Sequence, residues 1–193
     1  MRLPLLRGCN IGMQISRTKI DNLGDRLRSG APTREDLVLL DEFRLSFEPG
    51  YEYVVAKLRQ LKLSPTGRPA KSTQSVIGKL MRESTRLSQM QDIAGCRIVV
   101  DSIAQQDRII ASLHAVFRES TTYDRRGTSS HGYRAVHVVA RASSVPVEIQ
   151  IRTALQHAWA ELSEKIADVF DPLVKYGGGP PDIRTRWTDF PRL

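Results

Sequence analysis

Two stretches of this chain gather residue types suited to phosphate chemistry. Residues 61–90 hold Lys62, Arg68, Lys71, Lys79, Arg82 and Arg86 against the lone acid Glu83. On a helix begun near Thr73, Ser75 and Lys79 stand four apart and Arg82 three further on, so they share a face, with Lys71 just ahead of the first turn. Cations aimed in one direction beside the N–H donors of a helix start can clamp a polyphosphate. Taken alone, the run has an equal reading as a solvated basic face. The Walker pattern GxxxxGK[ST] is absent, so it is no P-loop.

The second stretch is PVEIQIRT, where strand alternation sends Val147, Ile149 and Ile151 to one face and Glu148, Gln150 and Arg152 to the other. In YRAVHVVAR, Tyr133, Ala135, His137 and Val139 share a face opposite Arg134. If the two strands pair, Tyr133, His137, Glu148 and Gln150 converge; the plainer alternative is an amphipathic hairpin with a wet face. Asp92 stands directly before IAGCRIVV, which contains Arg97. A carboxylate at a strand end beside cations suits Mg²⁺, which takes one or two protein carboxylates together with phosphate oxygens, and Glu148 would supply the second. The alternative is a strand-start residue paired with Arg97. His157 and Glu161 lie four apart on a final helix without HExxH or a Cys/His quartet, so His157 and Trp159 read as packing residues.

These side chains need elements to position them. The front end is helical: Ile15, Ile20, Leu23 and Leu27 recur before a stop at Gly30, Thr33 and Asp36 resemble a capping box, and a third helix runs from Tyr51 to Leu61. KLSPTGRPAKS reads as a loop, followed by a helix over 73–83, a strand in IAGCRIVVD and a helix in IAQQDRIIASLHAVF. A polar loop then leads to a hairpin closed by SSVP. The last helix, LQHAWAELSEKIADVF, places Leu155, Trp159, Leu162 and Ile166 on one stripe, and residues 171–193 read as an extended Gly/Pro-containing tail. This order predicts an α+β or α/β sheet domain with a helical preface.

Composition bounds the function class. Hydrophobic residues at 40% and charged residues at 26% exclude a disordered, collagen-like or coiled-coil chain. A net charge of +8 points to a polyanion, either nucleotide phosphates or RNA, without choosing between them. Cys9 and Cys96 are the only cysteines, and Cys96 sits in an apolar run, so a disulfide framework is not expected. No stretch approaches the ~20 apolar residues of a membrane span, which predicts a cytoplasmic protein.

SPTGRPAKSTQSVIGKLMRES, MQDIAGCRIVV, HGYRAVHVVA and VEIQIRTALQHAWAE, in that order, resemble the synthetase domain of the RelA/SpoT family. The resemblance sets residues 1–60 apart as a helical region, 61–170 as the synthetase domain and 171–193 as the tail. It implies an α+β, nucleotidyltransferase-like mixed β-sheet flanked by helices, and a pyrophosphokinase that moves the β,γ-pyrophosphate of ATP to a 3′-hydroxyl, releasing AMP. It implies that Lys71, Ser75, Lys79 and Arg82 contact ATP phosphates, with Arg97 and Arg68 on either side of the adenine. Asp92 and Glu148 would hold Mg²⁺, and Glu148 would also accept the proton of the attacking hydroxyl. Tyr133 would stack on the acceptor base, while His137, Gln150 and Arg152 position acceptor phosphates and the catalytic carboxylate.

Two departures bear on the acceptor and the adenine site. GRPAK has two residues between Arg68 and Lys71 where the family usually has one. The loop YDRRGTSSHGYRAVH has Ser and Thr where alarmone synthetases carry Pro-Lys. The first reading is (p)ppGpp synthesis from GDP or GTP. The alternative is a toxin that pyrophosphorylates the 3′ CCA end of tRNA, for which Arg118, Arg125, Arg126 and Arg134 would track the backbone. A non-catalytic RNA- or nucleotide-binding module is a third reading, weakened by the presence of both Asp92 and Glu148. Expected partners are ATP, the acceptor, a neutralising antitoxin on the toxin reading, and further copies of the chain. No hydrolase domain is expected before the synthetase region.

Overall fold

The structure is a computed structural model that describes residues 15–127, 132–142, 144–171, 173–174 and 178. Cys9 and nearly all of the expected tail lie outside the described residues. Contacts group the chain into two compact units, one drawn from residues 1–57, 67–95 and 141–147, the other from 58–66, 96–140 and 148–193.

In chain order the elements are α1 (Arg17–Arg28), α2 (Arg34–Leu45), α3 (Glu48–Gln60), β1 (Thr66–Arg68), α4 (Thr73–Arg82), β2 (Ala94–Val100), α5 (Ile103–Val116), β3 (Ser120–Asp124), β4 (Val136–Ala142), β5 (Val145–Thr153) and α6 (Ala154–Val169), with one 3₁₀ turn at Leu87–Gln89. The sheet has five strands in the order β1-β2-β5-β4-β3. The architecture is α+β, a mixed sheet with helices and an N-terminal helical region. No helix among the described residues is long and apolar enough to cross a membrane.

Helix starts follow their caps. Ser16, Thr33, Ser72, Ser102 and Thr153 each accept a backbone N–H of the first turn. At α2 the box is complete, since Asp36 also accepts the Thr33 N–H at 3.2 Å. In the first unit α1 buries Ile20, Leu23 and Leu27, and α2 buries Leu40 and Phe43. In the second, β5 alternates as its sequence demands, burying Ile149 and Ile151 while Glu148 and Gln150 are half-buried.

Four expectations are corrected. KLSPTGRPAKS contains β1, three exposed residues too short and polar to read as a strand. The polar loop after Phe117 contains β3, antiparallel to β4 with Tyr123 opposite His137. Ladder pairing at the sheet edge, not hydrophobic alternation, makes STTYD a strand. The third helix starts at Glu48. On α6 the apolar stripe is not the buried face: Leu155 and Leu162 are 54% and 43% exposed, while Ala160 and Ala167 are buried.

Gly50 in α3 shows how tightly the first unit packs. A Cβ there would meet Val145 Cγ2 and come within 2.9 Å of the Ala142 carbonyl oxygen. Backbone on one side and a β-branched side chain on the other cannot yield cheaply. Gly50→Ala is therefore expected to destabilise the fold by about 1–3 kcal/mol, read as a lowered urea midpoint; an unchanged midpoint would show that this packing relaxes freely.

Candidate active site

In the first unit the phosphate-type cations collect on one carboxylate. The Lys71 ammonium donates to Asp92 Oδ2 at 2.6 Å and the Lys79 ammonium to Oδ1 at 2.9 Å. All three side chains are about one-fifth exposed, at 18%, 21% and 18% for Lys71, Lys79 and Asp92. Burial alone would push the Asp92 carboxyl up, but the charges of Lys71 and then Lys79 outweigh it and hold the group below the usual carboxylate range.

Backbone and helix contacts fix this cluster. The Lys71 N–H donates to the Ile93 carbonyl at 2.7 Å, tying the lysine to the start of β2. Arg28 of α1 donates to the carbonyls of Leu80 at 2.8 Å and Thr85 at 2.7 Å, capping the end of α4, and Arg44 of α2 donates to Thr73 Oγ1 at 3.1 Å at its start. The helical front end thus holds both ends of the helix that carries Lys79. Ser75 bonds to Ser72 Oγ at 2.8 Å, Arg82 lies back along α4 over Gly78, and Arg68 is exposed on β1. Lys71, Lys79 and Asp92 come together; of the other expected ATP contacts of this unit, Ser75 and Arg82 share α4 with Lys79, and Arg68 is on β1.

In the second unit five residues close a ring of hydrogen bonds. His137 Nδ1 meets Glu148 Oε1 at 2.6 Å, and His137 Nε2 meets the Tyr133 hydroxyl at 2.8 Å. Gln150 donates to Glu148 Oε2 at 2.8 Å, and Arg152 Nη2 donates to Gln150 Oε1 at 2.7 Å and to the Tyr133 oxygen at 2.9 Å. With Glu148 ionised, one assignment satisfies the imidazole and the phenol together: Nδ1–H donates to the carboxylate, and Nε2 accepts the Tyr133 O–H. Burial first, and then the Glu148 charge, raise the Tyr133 phenol against the opposing pull of Arg152, so the hydroxyl keeps its proton. The Arg152 guanidinium also lies 5.1 Å from the Tyr133 ring centroid, and the His137 ring stands edge-on to the same phenol at 5.8 Å. Arg152 is 4% exposed, and its Nε and Nη1 are buried without a hydrogen-bond partner among the described residues. Those donors suit an incoming anion.

Arg97 does not pair with Asp92. Its Nη1 donates to Glu161 Oε1 at 2.9 Å, and His157 Nδ1 lies 3.9 Å from the same oxygen. Glu161 was visible only as the partner of His157 at helical spacing, because a strand residue 64 positions away leaves no trace in local sequence. Cys96 is buried, and desolvation together with the Glu148 charge pushes its thiol up to about 12, so it is inert. Arg126 is consumed by Asp124 and Asp107, with ion pairs of 2.6 Å to each, so it is not an open contact for a backbone phosphate.

Among the described residues no three or more His, Cys, Asp or Glu gather as a metal cluster. A magnesium ion would accordingly draw most of its shell from phosphate oxygens and water, which is its usual habit. The Asp92 carboxylate, kept ionised and held only by movable ammonium groups, fits such an ion once phosphates draw those ammoniums away.

The depressed Asp92 group carries a pH signature. Its stabilisation is present above the unfolded-chain value of about 3.9 and is lost as pH falls through the lower folded value. Wild-type protein should exceed Asp92→Asn in urea stability near pH 7, and the gap should shrink steadily as the pH drops below about 4. A gap that persists into strong acid would deny the ion pairs their role.

Residues 67–167, over half of the chain, match the family described as the region found in RelA / SpoT proteins. A Mycobacterium bovis protein of uncharacterized function is 37% identical over 118 residues, 59% of this chain and 43% of that protein. The GTP pyrophosphokinase YwaC of Bacillus subtilis is 32% identical over 113 residues, 50% of this chain and 54% of YwaC. The chain thus spans about half the length of these curated relatives. The crystal structure of small alarmone synthetase 1 from Bacillus subtilis bound to its product pppGpp has the same fold, with a TM-score of 0.63 at 23% identity over 78% of this chain and 87% of that one. With its motifs in order, its sheet of the same fold and its family match across the core, this chain belongs to the RelA/SpoT family.

Proposed function

We propose that this protein is an ATP-dependent pyrophosphokinase that makes (p)ppGpp-type products from GDP or GTP. The observation that carries this reading is the closed ring in which Glu148 is gripped by His137 and Gln150 beside Tyr133. An ionised carboxylate with a fixed orientation is what proton removal from a 3′-hydroxyl requires. Family membership and the name of YwaC support the guanine nucleotide as acceptor.

In the proposed reaction the acceptor 3′-oxygen attacks the β-phosphorus of ATP. A new oxygen–phosphorus bond forms, the bond from the β-phosphorus to the α,β-bridging oxygen breaks, and AMP leaves with that oxygen. Glu148 takes the hydroxyl proton, while Gln150 and His137 keep its oxygens aimed. Lys71 and Lys79, with Ser75 and Arg82, receive the ATP phosphates, and Arg97 and Arg68 flank the adenine. Tyr133 stacks on the acceptor base, and Arg152 positions its phosphates. Asp92 and Glu148 are the carboxylates assigned to Mg²⁺, which would neutralise phosphate charge during transfer. These groups supply positioning and charge neutralisation, where most of the rate of such transfers arises.

Transfer to the 3′ CCA end of tRNA by a toxin is the competing reading. Arg118 and Arg125 are exposed and suit it, but the capture of Arg126 by two aspartates removes one of the cations it counts on. An antitoxin partner belongs only to that reading.

The test is label transfer from γ-labelled ATP to GDP, GTP or deacylated tRNA. Label in a guanosine product supports the first reading; label in tRNA alone transfers the case to the second. Glu148→Gln should lower kcat by about 10²–10⁴-fold, the range for a positioned general base. Full activity in that variant would remove Glu148 from the reaction.

A further inference from the structure

Trp159 does more than pack. Gly132 has φ 79°, and a Cβ on it would lie 2.6 Å from Trp159 Cζ2, 2.9 Å from Cε2 and 3.1 Å from Nε1. Two independent constraints therefore coincide on one residue: a left-handed backbone that side chains disfavour, and a peptide seated against the edge of an indole with no room for a methyl group.

The next residue is Tyr133. It stands three positions ahead of β4 and makes an isolated β-bridge of its own, so the continuous ladder begins only at Val136. Its hydroxyl is fastened to His137 and Arg152, but those bonds fix only the tip of the side chain. The height and tilt of its ring also depend on where the backbone enters. That entry point is Gly132 on the indole.

Trp159 has a firm base from which to act. It lies in the second turn of α6, whose start carries a full capping box of Thr153 and Gln156. Gln156 also accepts from Gln106 at 2.9 Å, and the same Gln106 amide donates to the Ile151 carbonyl at 2.7 Å. Helix α6 is thereby bolted to β5 beside Arg152. The contacts run along an edge that spans both indole rings, from Cζ2 of the six-membered ring through Cε2 to Nε1, and a single phenyl ring at this position could not reproduce that edge.

We propose that Trp159 is a positioning residue for Tyr133, setting the backbone from which the phenol ring is presented to the acceptor base. The proposal rests on the acceptor role assigned to Tyr133 above. A residue of this kind governs acceptor affinity and leaves the ATP side untouched. It also has no effect of its own once the Tyr133 ring is gone.

Steady-state kinetics with ATP and GDP read this directly. Trp159→Ala should raise KM for GDP about tenfold and leave KM for ATP within about twofold, with Trp159→Phe in between. In a Tyr133→Ala background the same change should shift KM for GDP by less than about twofold, since coupled residues are non-additive. Equal effects in both backgrounds, or parallel rises in both KM values, would overturn the proposal.

Emission, compared only between variants that keep the wild-type urea midpoint, supplies a readout independent of activity. Trp159 and Trp187 are the only tryptophans, so Trp187→Phe isolates the signal. Adding Gly132→Ala to that protein should shift the emission of Trp159, and an identical spectrum would overturn the contact. Should the unaltered protein transfer label to none of the three acceptors, the functional reading fails by itself, and the emission arm still decides whether the indole seats this backbone.

Discussion

The ring of five hydrogen bonds through Glu148, Gln150, Arg152, Tyr133 and His137 is the constraint on which the rest of the second unit depends. Each bond taken alone is worth about 0.5–1.5 kcal/mol net, but breaking one leaves a desolvated partner at a cost of about 1–3 kcal/mol. The members therefore hold one another in a single arrangement. Three of them come from alternate positions of β5, so the pleat of one strand lines up a carboxylate, an amide and a guanidinium with no loop involved. Tyr133 and His137 close the circuit, and Arg152 still keeps two buried donors unspent. Buried cationic donors left without a partner in an otherwise bonded set suit an anion as the missing acceptor.

The first unit solves a different electrostatic problem. Two ammonium groups share one carboxylate, so the Lys71–Asp92–Lys79 cluster carries net positive charge while every group is still paired. Pairing outweighs the desolvation that would otherwise raise the aspartate. An arriving polyphosphate exchanges one set of anionic oxygens for another instead of meeting bare cations. The geometry relies on α4 staying in place, and α1 and α2 secure it at both ends through Arg28 and Arg44. The N-terminal helices, featureless as chemistry, thus serve the cations.

What was legible in the sequence tracks how local each cause is. The cap at Thr33, the alternation of β5 and the shared face of Tyr133 and His137 follow from spacings of two to four residues. β1 and β3 did not announce themselves, because TGR and STTYD owe their strand state to neighbours in the sheet. The pairing of Arg97 with Glu161, and of Arg28 with the end of α4, spans 64 and more than 50 positions. Long-range pairs of this kind carry no periodic signal, so the Glu161 partner of Arg97 was not legible, and the plainer alternative of an Arg97–Asp92 pair is not what forms.

The misjudged face of α6 has the same physical origin and explains the helix's importance. Leucines at seven-residue spacing suggested a core stripe, yet Ala160 and Ala167 are buried and Leu155 and Leu162 are not. Small residues on the inner face let a helix approach closely, at the expense of apolar area. Close approach is what this helix needs. Glu161 must reach Arg97 on β2, Gln156 must reach Gln106, and Trp159 must meet the backbone at Gly132, all within van der Waals or hydrogen-bond distance. With leucines on the inner face, α6 would gain apolar burial but stand too far off for these short contacts. The helix has the composition of a positioning element, and its stability is supplied by caps and polar bolts more than by a hydrophobic stripe.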